Sequence, residues 1–138
     1  MDWLECTGKN IVKDVKPDRN LIVSAQKIAS VKVESANALP KHLYIGKITL
    51  LYDALREYLE CVALENGYKI YNHECYAAFL KEILGKKKEA EIFNNLRKVR
   101  NGINYYGKYV SEAEAAQIIA DLNILIAAFK NKTKLNHK

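Results

Sequence analysis

Apolar residues recur three and four positions apart along most of this 138-residue chain, the spacing of helices that bury one face. The spacing predicts helices over about 17–37, 41–66, 72–85 and 88–105, and a last one that begins at Ser111. No stretch shows strand alternation of useful length. Four or five amphipathic helices with short connections predict an all-α fold, an antiparallel four- to five-helix bundle.

The ends of these helices carry stop and start signals. Asn72 is a predicted N-cap, and Gly67 a predicted C-terminal stop. Ser111 and Glu114 form a capping-box pattern. At 138 residues the chain is predicted to be one domain, with residues 1–16 as a flap or short helix and residues 131–138 as a frayed basic tail.

Composition narrows the function classes only in part. The formal net charge of +6 makes an anionic partner plausible without specifying one. The three cysteines have no metal-ligand spacing, which argues against structural zinc and predicts reduced, mostly buried thiols in a cytoplasmic protein. No apolar run reaches the length of a membrane span, so no membrane is expected. The chain also has no phosphate-cradling glycine loop, and we expect no cofactor. These cysteines are Cys6, Cys61 and Cys75.

Carboxylates line one face of the second predicted helix. Asp53 and Glu57 lie one turn apart, and Arg56 and Glu60 form another such pair. Paired carboxylates fit acid–base chemistry or a metal, but a metal in a bundle needs further ligands on facing helices. The fourth helix offers arginines instead. We therefore expect Asp53 and Glu57 to be supporting carboxylates that pair with those arginines, and we expect no metal site.

The fourth helix ends in the richest segment of the chain, between Arg97 and Gly107. Arg97, Arg100 and Asn104 are three and four positions apart and so share one helix face. Fixed cations beside amides and phenols suit a phosphate, a nucleobase or a carboxylate partner. The alternative is that the arginines pair with acidic residues inside the fold, and the two interpretations can coexist. The candidate ligand-binding residues are Arg97, Arg100, Asn101, Asn104, Tyr105 and Tyr106.

Other polar residues carry weaker signals. His42 and His73 stand at predicted helix starts, where a polar side chain commonly satisfies backbone groups, and His137 belongs to the tail. Gly102 interrupts a helical pattern and predicts a bend or the close approach of another chain. Nine tyrosines are typical of a cleft or a dimer seam, although each also fits the edge of a core.

These segments together resemble the HEPN superfamily of all-helical nucleotide-binding domains, in particular its small prokaryotic, largely archaeal branch. The similarity extends from about residue 10 to residue 130. The residues that carry it are Lys16-Pro17-Asp18, Tyr52-Asp53-Ala54-Leu55-Arg56-Glu57, the segment from Glu65 to Glu74, and the segment from Leu96 to Gly107 with its Arg-Asn-Gly-Ile-Asn-Tyr-Tyr-Gly motif.

The resemblance implies an antiparallel helical bundle, often a homodimer with a cleft between protomers. In nuclease members an arginine, a polar residue, a short spacer and a histidine lie at that cleft, and Arg100 and Asn101 match the first two positions. The histidine position holds Tyr105. A tyrosine, with a pKa of about 10 against about 6.5 for histidine, is a poor base at neutral pH. The position that some members use for nucleotide attachment holds Gly107.

Three functions follow as hypotheses. The first is a HEPN-like module that binds RNA or a nucleotide at a dimeric cleft, with ribonuclease activity doubtful. The second is a non-catalytic interaction subunit that partners a separate minimal nucleotidyltransferase, as in toxin–antitoxin pairs. The third is a metal-independent endoribonuclease, which requires Tyr105 or His73 to replace the missing base, so that Arg100 and Tyr105 are its catalytic candidates.

Overall fold

The computed structural model describes residues 1–131, so His137 and nearly all of the predicted basic tail lie outside the described residues. Within that range the chain forms six α-helices and two short strands, which confirms the predicted all-α bundle. In chain order the elements are α1 (Trp3–Gly8), β1 (Val12–Asp14), α2 (Arg19–Ala38), α3 (Tyr44–Glu65), β2 (Tyr68–Ile70), α4 (Glu74–Ala78), α5 (Lys87–Tyr106) and α6 (Glu112–Phe129).

Helix α3 is the centre of the bundle, with α2 and α6 packed along it and α5 touching it more lightly. Its predicted apolar line is entirely buried, and Tyr52 beside that line is buried as well. Helix α2 turns small side chains toward α3, which lets the two helix backbones approach closely. The buried apolar line of α3 consists of Ile48, Leu51, Leu55, Leu59 and Val62, and the small residues of α2 are Ala25, Ala29 and Ala36.

Local signals set most helix ends as predicted. The Asp18 carboxylate accepts a hydrogen bond from the Leu21 amide, and Ser111 and Glu114 form a reciprocal capping box. Helix α5 ends at Gly107, whose φ of 61° lies in the left-handed region that favours glycine. The predicted third helix is less regular. Helix α4 passes into a π-helical turn, Phe79–Ile83, before the chain leaves the helix.

The purely helical prediction is incomplete in one place, because two three-residue strands form where the sequence shows no alternation of useful length. Strands β1 and β2 pair antiparallel, with Val12 opposite Ile70, Lys13 opposite Lys69 and Asp14 opposite Tyr68. Val12 and Ile70 are buried, while the lysine pair lies on the other face. Three-residue strands carry too little alternation to be read from sequence, and here residues 54 or more positions apart must meet before either segment is a strand.

The prediction of three reduced thiols is also wrong, although all three cysteines are buried as expected. Cys6 of α1 and Cys75 of α4 form a disulfide, and Cys61 is the free cysteine. Their 69-residue separation gives no pairing signal in the sequence. Only the packing of α1 against α4 brings their Cα atoms to 6.0 Å, a distance that a disulfide spans.

The N-terminal segment is a short helix tied to the bundle, one of the two forms predicted for it. The Met1 ammonium contacts the Glu74 carboxylate at 3.1 Å, and the Trp3 amide donates to Glu82 at 2.7 Å. The Trp3 ring packs against Tyr68 and Phe79. Among the helices of residues 1–131, none combines the length and apolarity needed to cross a membrane.

Candidate functional site: a guanidinium among tyrosines

The Arg100 guanidinium lies between two aromatic rings in the last third of α5. Its central carbon is 5.5 Å from the centroid of the Tyr52 ring and 5.5 Å from that of Tyr105. One Nη also donates to the Tyr105 hydroxyl at 3.2 Å and to the Asn101 side chain at 3.5 Å. Cation–π contact and neutral acceptors therefore position this charge. We call Tyr52, His73, Arg100, Asn101 and Tyr105 the Arg100 site.

Within residues 1–131 no carboxylate balances this charge. Every ion pair of the described residues is made by other cations, and no carboxylate oxygen lies within 4.0 Å of Arg100 or of Arg97. The Nε of Arg100 is buried and has no hydrogen-bond partner. An N–H left in this state costs free energy that a bound acceptor would return. The site is thus short of an anion.

His73 reaches the same site from the start of α4. Its side chain makes no cap hydrogen bond. Instead the ring turns inward, and Nδ1 lies 3.1 Å from the hydroxyl of Tyr52. Burial, followed by the charges of Arg56 and Arg100, lowers the pKa of His73 to about 4, so the ring is neutral at pH 7. The capping role predicted for His73 is wrong. Asn72 is the residue whose side chain accepts from the Glu74 amide.

Positive charge dominates the surroundings of Tyr52. Burial raises the pKa of its hydroxyl to about 12, while Arg100, Arg97 and Arg56 act in the opposite direction. Asp53 is the carboxylate that works against these arginines at both Tyr52 and His73. Arg56 is paired with glutamates of its own helix, so Asp53 faces the charges of Arg97 and Arg100 and the local field stays positive.

A chain of ion pairs continues from this site along α3. Arg56 donates to Glu60 at 3.2 Å, and the other oxygen of Glu60 meets Lys69 of β2 at 3.2 Å. The Tyr76 hydroxyl is buried without a hydrogen bond of acceptable geometry, and burial is the main reason that its pKa is raised. Arg56 is close enough to oppose that rise. The contact between Tyr76 of α4 and Arg56 of α3 is therefore polar, although the Tyr76 side chain is buried.

The expected pairing of Asp53 and Glu57 with the arginines of α5 is wrong. Glu57 binds Lys32 of α2 at 2.7 Å and lies 3.8 Å from Arg56 of its own helix. Asp53 forms no ion pair within 4.0 Å among the described residues. Helix α3 is central, so its polar positions face more than one neighbour, and Glu57 meets α2 rather than α5.

The other candidates in α5 are spread out. The Nε and Nη of Arg97 donate to Asn94 at 3.2 and 2.9 Å, and Asn94 stands one turn earlier on the same helix face. Asn104 is exposed, and the Tyr106 side chain is 79% exposed. The structure therefore joins Arg100, Asn101 and Tyr105, and holds Arg97 beside them through Asn94. The three-residue spacing of Asn94 and Arg97 is the signal in the sequence that indicates this pair.

Gly102 does not interrupt its helix, and His42 does not cap α3, whose start has no side-chain cap hydrogen bond. Helix α5 continues through Gly102 without a break, and the close neighbour is the Lys108 side chain of the same chain, 3.4 Å from where a Cβ would lie. His42 is exposed in the turn before α3.

Tyr44 and Tyr109 share a hydrogen bond of 2.7 Å between their hydroxyls. That bond, formed between α3 and the loop after α5, is the largest of the causes that raise the pKa of Tyr44 to about 12.

No protein-family model matches the chain, and no curated protein matches it significantly. The resemblance to HEPN domains therefore rests on the residues named above and stays a prediction. Among residues 1–131, no three His, Cys, Asp or Glu side chains are arranged to hold a metal ion.

Proposed function

We propose that this chain is a HEPN-like domain that binds a nucleotide or single-stranded RNA through Arg100, without cutting it. One observation carries the proposal: the Arg100 guanidinium is partly buried, is held in place by Tyr52 and Tyr105, and has no carboxylate partner in residues 1–131. A phosphate oxygen supplies the missing negative charge and accepts from the guanidinium edge.

The access route to Arg100 passes Tyr105. This ring covers one side of the guanidinium yet is 67% exposed, so that its rotation frees an N–H edge without disturbing the core. The same ring then offers a face on which a nucleobase stacks. Asn101 adds a side-chain amide for orientation. A phosphate with a base attached fits these three side chains better than a bare carboxylate does.

The residues around Arg100 favour binding over cleavage. The nearest imidazole, His73, has a pKa of about 4, and its Nδ1 is engaged with Tyr52. A base that weak seldom holds a proton taken from a ribose hydroxyl at neutral pH. Tyr105 occupies the position where the family's nuclease members carry histidine. We therefore expect no metal-independent cleavage.

The first test compares Arg100→Lys and Arg100→Ala in binding titrations with AMP and with a single-stranded RNA. Charge-assisted bonds of this kind contribute about 1.5–3 kcal/mol, so Arg100→Ala should weaken binding roughly 10- to 100-fold. The affinity of Arg100→Lys should lie between those of wild type and Arg100→Ala, because lysine keeps the charge and loses the planar fork. Lys98→Ala, an exposed charge removal on the same helix, is the matched control and should change affinity little.

Thermal melts of the same variants separate binding from folding. Since Arg100 has no carboxylate partner, its removal strands no buried anion, and Arg100→Ala should melt close to wild type. An Arg100 that did hold a buried carboxylate would cost about 3–5 kcal/mol on removal. Binding that is unchanged in both variants would contradict the proposal. It would favour the alternative of an interaction subunit for a separate nucleotidyltransferase.

We further propose that two copies form a homodimer, with the tyrosines near the end of α5 at the seam. Tyr105, Tyr106 and Tyr109 are each at least 67% exposed, and large exposed aromatic side chains are enriched in interfaces. Light scattering at tens of micromolar should give about twice the 15.7 kDa chain mass. Tyr106→Asp, which adds a charge to the seam, should give monomers, whereas Ile124→Asp on exposed α6 surface should not. A monomeric wild type would exclude this dimer.

The cytoplasmic location predicted from the cysteine pattern also remains a proposal. The Cys6–Cys75 disulfide weighs against an ordinary reducing cytoplasm. It is compatible with the interior of hyperthermophilic organisms, whose intracellular proteins are rich in disulfides.

A further inference from the structure

A second group of cations and an aromatic ring lies on the outer face of the β1–β2 pair. Lys13 and Lys69 stand directly opposite each other, so their side chains share one face of the sheet. Tyr71 follows Lys69 by two residues and continues the pairing through its amide, which donates to the Ile11 carbonyl at 2.9 Å. The period of a strand places Tyr71 on that same face. We call Lys13, Lys69 and Tyr71 the strand patch.

The charges of the strand patch are only half balanced. Like charges directly opposite each other destabilise a strand pair. Glu60 neutralises Lys69 at 3.2 Å, but no carboxylate oxygen of the described residues lies within 4.0 Å of Lys13. The Lys13 ammonium instead lies 5.6 Å from the centroid of the Tyr71 ring, and that of Lys69 lies 5.9 Å from it.

Tyr71 presents its ring to solvent. The side chain is 57% exposed, although Ile70 before it is buried, and its ring has no aromatic neighbour among residues 1–131. An exposed ring between lysines on flexible stems has the composition of a stacking platform for single-stranded nucleic acid. The Lys13 ammonium can leave the ring for a phosphate, because no carboxylate of the described residues holds it and its four-carbon stem is flexible.

The strand patch adjoins the Arg100 site along the chain. Tyr71 and His73 are two residues apart, which limits their Cα atoms to a separation of about 7 Å. The ion pairs also join the two places, since Glu60 binds Lys69 on one side and Arg56 on the other. Arg56 in turn acts on His73. The two surfaces are therefore linked both by the chain between Tyr71 and His73 and by the contacts of Glu60 and Arg56.

We infer that the strand patch is a second contact for single-stranded RNA, in which a base stacks on Tyr71 and the neighbouring phosphate binds Lys13. The inference rests on the proposed function and deepens it: the ligand of the whole surface is an oligonucleotide rather than a mononucleotide. Its bases must be unpaired, because a base inside a duplex has no free face for Tyr71.

Three variants test the strand patch against AMP, a uridine oligonucleotide of about ten residues and an RNA duplex of about the same length. Tyr71→Ala should weaken oligonucleotide binding roughly 5- to 150-fold, the range for loss of one stacked base, while Tyr71→Phe should bind as wild type. Lys13→Ala should reduce the slope of log K against log salt by about 0.7. Lys27→Ala, an exposed charge removal on α2, is the matched control. AMP affinity should not change in any of them.

The outcomes separate this inference from the proposed function. Oligonucleotide affinity and salt slope that stay at wild-type values in Tyr71→Ala and Lys13→Ala overturn the strand patch, even if Arg100→Ala has lost binding. An equal loss of AMP and oligonucleotide binding in Tyr71→Ala also overturns it, because the effect is then structural. If the patch variants lose oligonucleotide binding while Arg100→Ala keeps it, the strand patch stands and the proposed role of Arg100 falls. A wild-type protein that binds AMP but no RNA overturns the strand patch alone, and one that binds neither overturns both.

Discussion

Arg100 and Arg56 show how neighbours decide what an arginine does. Arg56 on α3 contacts the carboxylates of Glu57 and Glu60, so its charge is largely neutralised within the fold. Arg100 lies on α5 against the rings of Tyr52 and Tyr105, which fix its position but do not neutralise it. The first arrangement stabilises a helix surface modestly. The second leaves a positioned cation whose natural complement is an anion from outside the chain.

His73 makes a measurable prediction about pH. The unfolded chain protonates this ring as the pH falls below about 6.5, whereas the folded protein resists until about 4. Stability from the neutral ring is therefore complete above pH 6.5 and is lost progressively between pH 6.5 and pH 4. The loss should be on the order of 1 kcal/mol, since solvent screens the half-exposed ring.

Urea melts of wild type and His73→Gln at pH 7 and pH 4.5 measure this effect. His73→Gln should lose clearly less stability between the two pH values than wild type does, because glutamine does not titrate. His42→Gln, which alters an exposed histidine, should behave as wild type. An equal pH dependence in wild type and His73→Gln would show that the ring is not held neutral.

At the scale of elements, α4 is the piece that assembles the site. It brings His73 and Tyr76 against α3. Asn72, whose side chain accepts from the Glu74 amide, precedes the helix, and a π-helical turn at Phe79–Ile83 follows it. Within that turn the helix widens, and the Leu84 amide bonds the Phe79 carbonyl at 3.1 Å. Such turns are rare and occur often at functional sites. Regular helix was predicted over 72–85 because the apolar spacing there does not distinguish a π turn from an α turn.

The same scale explains which contacts were predictable. The capping box of Ser111 and Glu114 depends on residues three positions apart, and the sequence predicts it. The end of α5 at Gly107 is equally local, because glycine is the usual residue at a left-handed helix end. Strands β1 and β2 depend on each other across more than 50 residues. No local sequence signal predicts which distant segment a strand will pair with.

At the scale of the whole molecule, the disulfide fastens the N-terminal segment to α4 and so to the site. Cross-linking Cys6 to Cys75 closes a loop of 69 residues, which in the chain-entropy account stabilises the fold by about 4 kcal/mol. Replacing both cysteines by alanine should lower the free energy of unfolding by about that amount. A reductant should lower the melting temperature of wild type toward that of the double variant.

The control for this prediction is internal. The double variant should melt at the same temperature with and without reductant, because Cys61 has no partner to exchange with. Thiol titration of the denatured wild type without reductant should find one free thiol. Three free thiols would show that the cysteines are not cross-linked in the protein as isolated.

The sequence by itself determined the bundle, because amphipathic spacing and caps act over single helical turns. It indicated the right helices to within about three residues at most ends, and it singled out Arg100, Asn101 and Tyr105, which the fold does bring together. Within one helix, spacing fixes which side chains are neighbours.

The tertiary structure alone decided everything that depends on which elements meet. It pairs Glu57 with Lys32 and not with an arginine of α5. It turns the His73 ring inward onto Tyr52, and it links Cys6 to Cys75 by a disulfide. It also placed Lys13 opposite Lys69. The physical reason is common to all four: each pairing spans more than 20 residues, and a central helix such as α3 has polar positions facing several neighbours, between which spacing along the chain cannot choose.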